Sequence, residues 1–189
     1  MVLATTSVHI PRLLEAGRSG MDDVERVIVA FKTRPTWSVM SKLDALMDLE
    51  QVDDPRIVTF LVEILVDQGE PTEVRINVLK QLRNGRLQPL QRQSVVTAIL
   101  QVVSDHSSPD LRLQAVLALA EFTNIDGVPA TLGGLTLDPG ETINVRYSAF
   151  TSLQRAGATT ECVALLRQLS ADELLGPSAR SVLLSWQLE

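Results

Sequence analysis

Cysteine is almost absent from this chain of 189 residues, because Cys162 is the only one. A single thiol excludes an internal disulfide and any metal site built from several thiolates. Histidine is nearly as rare, since the chain contains only His9 and His106. Neither histidine stands beside a glutamate or in a recognisable ligand motif, and a histidine metal centre needs two or more close together. The sequence therefore predicts no metal and no other cofactor.

Aromatic residues are also scarce, at 4% of the chain, and no lysine occurs after Lys80. The net charge is -6 at pH 7, and residues 95–189 hold twice as many acidic as basic side chains. Proteins that bind nucleic acid non-specifically rely on Lys and Arg to neutralise phosphates, and single strands also stack on aromatic rings. This composition argues against a nucleic-acid partner.

Long hydrophobic runs are missing as well. The longest apolar patch, residues 57–66, is interrupted by Glu63 and is too short to span a bilayer. The first residues lack a positively charged stretch followed by an apolar core, so they do not resemble a secretory signal. We expect a soluble, cytoplasmic protein with no membrane span.

Motifs of catalysis are equally absent. The chain has no G-x-S-x-G motif and no phosphate-binding glycine loop. Cys162 lies on an apolar helical stripe, where a free cysteine behaves as a small hydrophobe. The pair Gly133-Gly134 predicts a short or distorted helix, because each glycine costs a helix about 1 kcal/mol relative to alanine. We therefore predict a protein that is not an enzyme.

What the chain does contain is a repeated helix rich in aliphatic residues, which contribute most of its 45% hydrophobic content. One column of this helix recurs about every 36 residues. Apolar columns precede it by one residue and follow it by four and by seven, as in Leu111, Val116 and Leu119. Such spacing places the apolar side chains on one stripe of an α-helix. The recurring column consists of Val39, Arg75, Arg112, Arg146 and Arg180.

A second helical pattern precedes each copy, so the repeating unit is helix A, turn, helix B. One such pair cannot bury both sides of its apolar stripe, and stacking of neighbouring pairs completes the core. The sequence therefore predicts an all-α fold with a single repeat domain over residues 21–189, preceded by an N-terminal arm, residues 1–20. The approximate repeats are 21–52, 53–86, 87–124, 125–157 and 158–189.

The start of helix B resembles that of HEAT repeats of the bacterial type, with Glu73-Val74-Arg75, Asp110-Leu111-Arg112 and Asn144-Val145-Arg146. The resemblance implies a right-handed α-α superhelix, a solenoid of about five HEAT-like helical hairpins. It also implies a structural ladder in which Arg75, Arg112 and Arg146 pair with Glu73, Asp110 or neighbouring acids. The alternative is that the arginine column forms an anion-binding stripe. Tetratricopeptide arrays have a similar period, but their Trp–Leu-Gly–Tyr positions are not recognisable here.

The same resemblance implies that the B helices line a concave face. We predict a non-catalytic protein–protein interaction module (an adaptor, scaffold or accessory subunit) that binds another protein through this face. The alternatives are a solvated face with no partner, and a bilin-lyase-type or other ligand-handling HEAT-repeat protein. Leu117 and Ala118 are predicted to form a small exposed apolar spot within a polar surround. The candidate contact residues are Asn77, Lys80, Gln81, Gln114, Leu117, Glu121, Thr151 and Arg155.

Overall fold

The computed structural model describes residues 22–33 and 37–188, and over these residues the chain is all-α. Ten α-helices and one 3₁₀ turn lie in the described part, which contains no strand. The chain divides into two compact units, Met1–Ile57 and Val58–Glu189. The predicted N-terminal arm, residues 1–20, lies outside the described residues.

The helices follow one another with short connections. Each of the five predicted repeat ranges contains two of them, a helix A and then a helix B. The 3₁₀ turn Leu119–Phe122 extends the sixth helix. The bounds are α1 (Asp23–Thr33), α2 (Val39–Glu50), α3 (Pro55–Val66), α4 (Thr72–Asn84), α5 (Pro89–Ser104), α6 (Pro109–Ala118), α7 (Val128–Leu137), α8 (Ile143–Ala156), α9 (Thr160–Leu169) and α10 (Gly176–Ser185).

Hydroxyl side chains cap the N-termini of several of these helices. The side chains of Ser108, Thr142 and Thr159 each accept a hydrogen bond from the backbone amide three residues later. These bonds satisfy amides that have no partner within the helix. At its other end α8 stops at Gly157, whose φ of 83° is a left-handed conformation that glycine adopts without strain.

The first unit contains α1 and α2, which pack against each other. The rings of Phe31 and Trp37 meet edge to face with centroids 6.3 Å apart, and the ammonium of Lys42 lies 5.2 Å from the Phe31 centroid. At the surface of this unit the Arg56 guanidinium donates to Asp22 and Asp54. The hydrogen bond from the Arg56 side chain is the main reason that the pKa of Asp54 falls to about 2.

The second unit is built from helices that pack within a hairpin and between hairpins. The A and B helices pack in pairs, α5 with α6, α7 with α8 and α9 with α10. The B helices also pack on one another, since α6 contacts both α4 and α8, and among the A helices α7 contacts α9. The predicted apolar columns form the core of this unit: Val74, Leu82, Leu111, Leu119, Val145 and Leu153 are all buried.

The last copy departs from the predicted columns. Leu184, assigned to the apolar column four residues after Arg180, is 59% exposed, and Leu183 is buried instead. Helix α10 buries Ala179, Val182 and Leu183, whose i, i+3, i+4 spacing forms a single face. Leu184 falls beyond the edge of that face.

The glycine pair lies inside α7, which is as long as α6, α9 and α10. Among the A helices α7 is shorter than α1, α3 and α5 and equal to α9, which agrees with the predicted short helix. Gly133 is buried where α7 packs against α9, and a Cβ built on it would lie 2.4 Å from a methyl carbon of Leu165. Gly134 is exposed, and a Cβ there would meet nothing within 4 Å. Only the first glycine is required by the packing.

The two glycines should respond in opposite ways to alanine. Gly134→Ala should raise the free energy of unfolding by up to about 1 kcal/mol, because alanine is the better helix former. Gly133→Ala should lower the free energy of unfolding, because Leu165 must move to admit the methyl group. Urea unfolding of both variants measures this, and equal shifts for the two would contradict the described contact between α7 and α9.

Leu119 tests the core. Leu119→Ala should lower the free energy of unfolding by about 2–5 kcal/mol, as for other fully buried leucines truncated to alanine. Leu184→Ala removes the same atoms from an exposed position and is the matched control, expected to have little effect. Thermal melts followed by circular dichroism compare the two, and equal melting temperatures would mean that the assigned helix register is wrong.

Candidate functional site

The arginine column makes the same hydrogen bond in three successive hairpins. The Nε atoms of Arg75, Arg112 and Arg146 donate to main-chain carbonyls at 2.9, 2.6 and 2.9 Å, respectively. In each case the acceptor is the penultimate residue of the preceding A helix: Leu65 in α3, Val103 in α5 and Thr136 in α7. Each of these three arginines is buried, at 5–6% exposed.

The acceptor carbonyls explain why a cation is buried at these points. The last carbonyls of an α-helix have no partner within the helix and carry the negative end of its dipole. An arginine that reaches them satisfies an otherwise unpaired acceptor and brings a favourable charge. Arg180 makes a related contact, from Nη1 to the carbonyl of Ser170 just after α9, although this arginine is exposed. The contact therefore binds α4, α6 and α8 each to the A helix of its own hairpin.

Two of the arginines also reach an acid in the following hairpin. Arg112 uses both terminal nitrogens on Glu141, with Nη1 2.7 Å from Oε2, and Arg146 pairs with Asp172. Glu141 lies in the turn between α7 and α8, and Asp172 lies between α9 and α10. The pairs are largely buried, so they link a B helix to the next hairpin. Arg75 makes only its carbonyl bond among the described residues.

The acids of this ladder differ from those named in the sequence prediction. Glu73 and Asp110 are exposed, and the acids that pair with Arg112 and Arg146 are Glu141 and Asp172. The reason is helical geometry, because residues two apart on a helix do not face each other. One of the two acids can be located from the sequence: Glu141 stands directly before Thr142, the N-cap residue of α8.

The buried arginine keeps its partner charged. The pKa of Glu141 is lowered from its ordinary value of 4.5, first by the hydrogen bond from Arg112 and further by the charge of that guanidinium. The same bond raises the pKa of Arg112. The pKa of Asp172 is also lowered, mainly by the backbone amide of Leu175 and additionally by Arg146.

The candidate contact residues lie on B helices that pack side by side. Five of them, Asn77, Gln81, Gln114, Leu117 and Thr151, are half-buried, whereas Lys80, Glu121 and Arg155 are exposed. Two contacts connect members of this set. The Gln81 side chain donates to Asn77 at 3.1 Å along α4, and Arg155 of α8 pairs with Glu121 of the 3₁₀ turn at 2.6 Å.

One member of the predicted apolar spot is buried. Ala118, expected to be exposed beside Leu117, has a relative exposure of 1%, and Leu117 is itself half-buried. Helix α6 packs against α4 and α8 as well as its own partner α5, so little of its surface remains open. The predicted spot is therefore reduced to the open part of Leu117.

The other residues weighed in the sequence are quickly placed. Cys162 is a free, buried cysteine of α9, and His106 is exposed in the turn after α5. His9 lies outside the described residues. Within the described ranges no cluster of three or more His, Cys, Asp or Glu side chains could hold a metal ion. No helix there combines the length and the apolar character needed to cross a bilayer.

Comparison with known proteins adds no relative. No protein-family model matches the chain, and a search of the curated proteins finds no match.

The two kinds of ion pair can be separated by one substitution in each. Glu141→Gln should lower the free energy of unfolding by about 2–4 kcal/mol at pH 7, because Arg112 stays buried without its counter-charge. Glu121→Gln breaks an exposed pair and should cost less than about 1 kcal/mol. Urea unfolding of both variants at pH 7 measures the two losses.

The pH dependence supplies a second check on Glu141. Because its pKa is lower in the folded chain, its contribution is present above its ordinary value of 4.5 and is lost as the pH falls through the folded pKa. The stability difference between the parent and Glu141→Gln should therefore narrow below pH 4.5. A difference that stays constant down to full acid unfolding would show that the carboxylate charge does not stabilise the fold.

Proposed function

We propose that this protein is a non-catalytic interaction module, an adaptor, scaffold or accessory subunit, that binds another protein through its B helices. The proposal includes the architecture: five HEAT-like or armadillo-like hairpins stacked into a right-handed solenoid. The arginine contact supports it, because the same link between a B helix and the penultimate carbonyl of its A helix occurs in three consecutive hairpins. Solenoids are built by such repetition, with each repeat contacting its neighbours.

The observation that carries the interaction proposal is the side-by-side packing of α4, α6 and α8. Their outward positions are half-buried and polar, as in Asn77, Gln114 and Thr151. Side chains already held by neighbouring helices lose less freedom when a partner covers them, so less binding energy is spent on ordering. Leu117 adds a partly open apolar group within this polar row, the mixture typical of protein interfaces.

The charge of this face suits a protein partner. Lys80, Glu121 and Arg155 are its exposed charged members, and the last two neutralise each other through their ion pair. A face with one uncompensated lysine offers little to a phosphate backbone, which needs several cations. We place the protein in the cytoplasm as part of the same proposal, because its only thiol is free and buried.

The proposal is tested by affinity capture of the tagged full chain from its native source, followed by mass spectrometry of the eluate. Gln114→Arg introduces a long charged side chain into the middle of the face. Gln93→Arg is the matched control, because Gln93 is exposed on the A helix of the same hairpin. We expect a stoichiometric protein partner that is lost with Gln114→Arg and kept with Gln93→Arg.

Three other outcomes would count against this function. Absence of any stoichiometric partner leaves a solvated face. Loss of the partner in both variants, or in neither, means that the B helices do not form the contact. Visible absorbance of the purified chain would show a bound chromophore and would favour a ligand-handling function of the bilin-lyase type instead.

A further inference from the structure

The turn between α5 and α6 resembles the turn between α7 and α8 at its start but is one residue shorter and lacks a glutamate. Both begin with an aspartate after an A helix, Asp105 and Asp138, and each Oδ1 accepts a hydrogen bond from the amide two residues later, at 2.9 and 2.8 Å. Each aspartate also interacts through its charge with the column arginine of the preceding B helix, Arg75 and Arg112, respectively. The two aspartates therefore hold equivalent places.

The residues after these aspartates are not equivalent. Three residues separate Asp138 from Thr142, the N-cap of α8, and the third of them is Glu141, the partner of Arg112. Only His106 and Ser107 separate Asp105 from Ser108, the N-cap of α6. The shorter turn has no counterpart of the glutamate, so the ladder lacks an acid at this step.

Asp105 does not replace the missing acid. Its carboxylate is engaged with Ser107, whose hydroxyl and amide hydrogen bonds are the main cause of its lowered pKa. The charge of Arg75 contributes less, and no ion pair forms between the two side chains in the described part of the chain. Arg75 is left 5% exposed, with Nε bound to the carbonyl of Leu65 and both terminal nitrogens without a protein partner there.

A cleft opens at this point in the second unit. It has a volume of about 300 Å³ and lies between the end of α3 and the end of α5. Its polar lining consists of Arg75, Gln68, Gln101, Ser104 and Asp105, and its apolar lining of Val66 and Val102. A cleft of this size is at the lower end of small-molecule sites, which span roughly 300–1,000 Å³.

We propose that this cleft binds a carboxylate group from outside the fold, which pairs with Arg75 in the place that Glu141 takes at Arg112. The guanidinium fork fits a carboxylate through two parallel hydrogen bonds, and the terminal nitrogens of Arg75 face the cleft with no protein acceptor in the described part of the chain. Asp105 on the wall disfavours a group that carries two negative charges at one point, such as phosphate, and offers an acceptor to a donor on the ligand. The amides of Gln68 and Gln101 can hydrogen-bond the rest of the ligand.

The carboxylate has two possible sources, a free small acid or an acidic side chain of a protein. The cleft is lined by residues of two neighbouring hairpins, and none of them is a candidate contact residue of the B helices. The inference therefore stands or falls independently of the proposed function.

The test uses the full chain and a pair of insertion variants. A glutamate inserted between Ser107 and Ser108 restores the length and the acid of the α7–α8 turn, and should occupy Arg75 from within. A glutamine inserted at the same place restores the length alone and is the control. Acetate, succinate and an end-capped peptide with one glutamate are titrated, with chloride at equal ionic strength as the blank, while NMR follows the Arg75 Nε–H and Gln101 amide signals.

We expect saturable shifts with a carboxylate probe in the parent and in the glutamine insertion, weakened at least about tenfold in the glutamate insertion. Arg75→Lys, which keeps the charge and loses the fork, should also weaken binding. Tighter binding of the peptide than of both free acids identifies a protein source, and the reverse order identifies a small acid. The proposal is overturned if no probe saturates in the parent, if chloride acts equally, or if the glutamate insertion binds as well as the parent.

Discussion

The fold of the second unit depends on burying an arginine against the end of a helix. A guanidinium in an apolar interior is costly, and it is tolerated here because Nε meets a carbonyl that no helical amide can reach. One hydrogen bond thus satisfies an unpaired carbonyl at the end of helix A and fixes helix B against it, and it is made by Arg75, Arg112 and Arg146. The contact is independent of side-chain identity at the acceptor, so Leu, Val and Thr serve equally well.

The hairpins differ in what the terminal nitrogens of each column arginine contact. Arg112 and Arg146 spend their terminal nitrogens on acids of the following turn, which couples neighbouring hairpins. Arg75 keeps the anchoring bond and lacks the coupling acid, because the turn after α5 is one residue shorter. The shorter turn thus leaves the core intact, while the Arg75 guanidinium lines a cleft instead of pairing with an acid. The two ion pairs differ in burial: the pair of Arg112 and Glu141 is largely buried, whereas the pair of Arg155 and Glu121 is exposed.

Sequence periodicity predicted the helices and most of the core correctly, because burial of an apolar stripe dictates both. Leu119 lies in the core where its column placed it. Burial is predicted less reliably for residues at the edge of the stripe, because a step of one residue turns the side chain by about 100° around the helix. Leu184 is exposed and Ala118 is buried for that reason, since neighbouring helices decide which edge they cover. The acids of the ladder, Glu141 and Asp172, were missed because they lie in turns, outside the helical period.

The sequence by itself determined the all-α class, the pairing of helices into A and B and the recurrence of the arginine column, because local periodicity encodes them. Only the tertiary structure decided what those arginines touch. Their acceptors are main-chain carbonyls, which carry no sequence signature, and their acids come from the next hairpin, 26–29 residues away. The cleft beside Arg75 exists for the same reason: an absent partner becomes visible only when the equivalent places of two hairpins are compared in space.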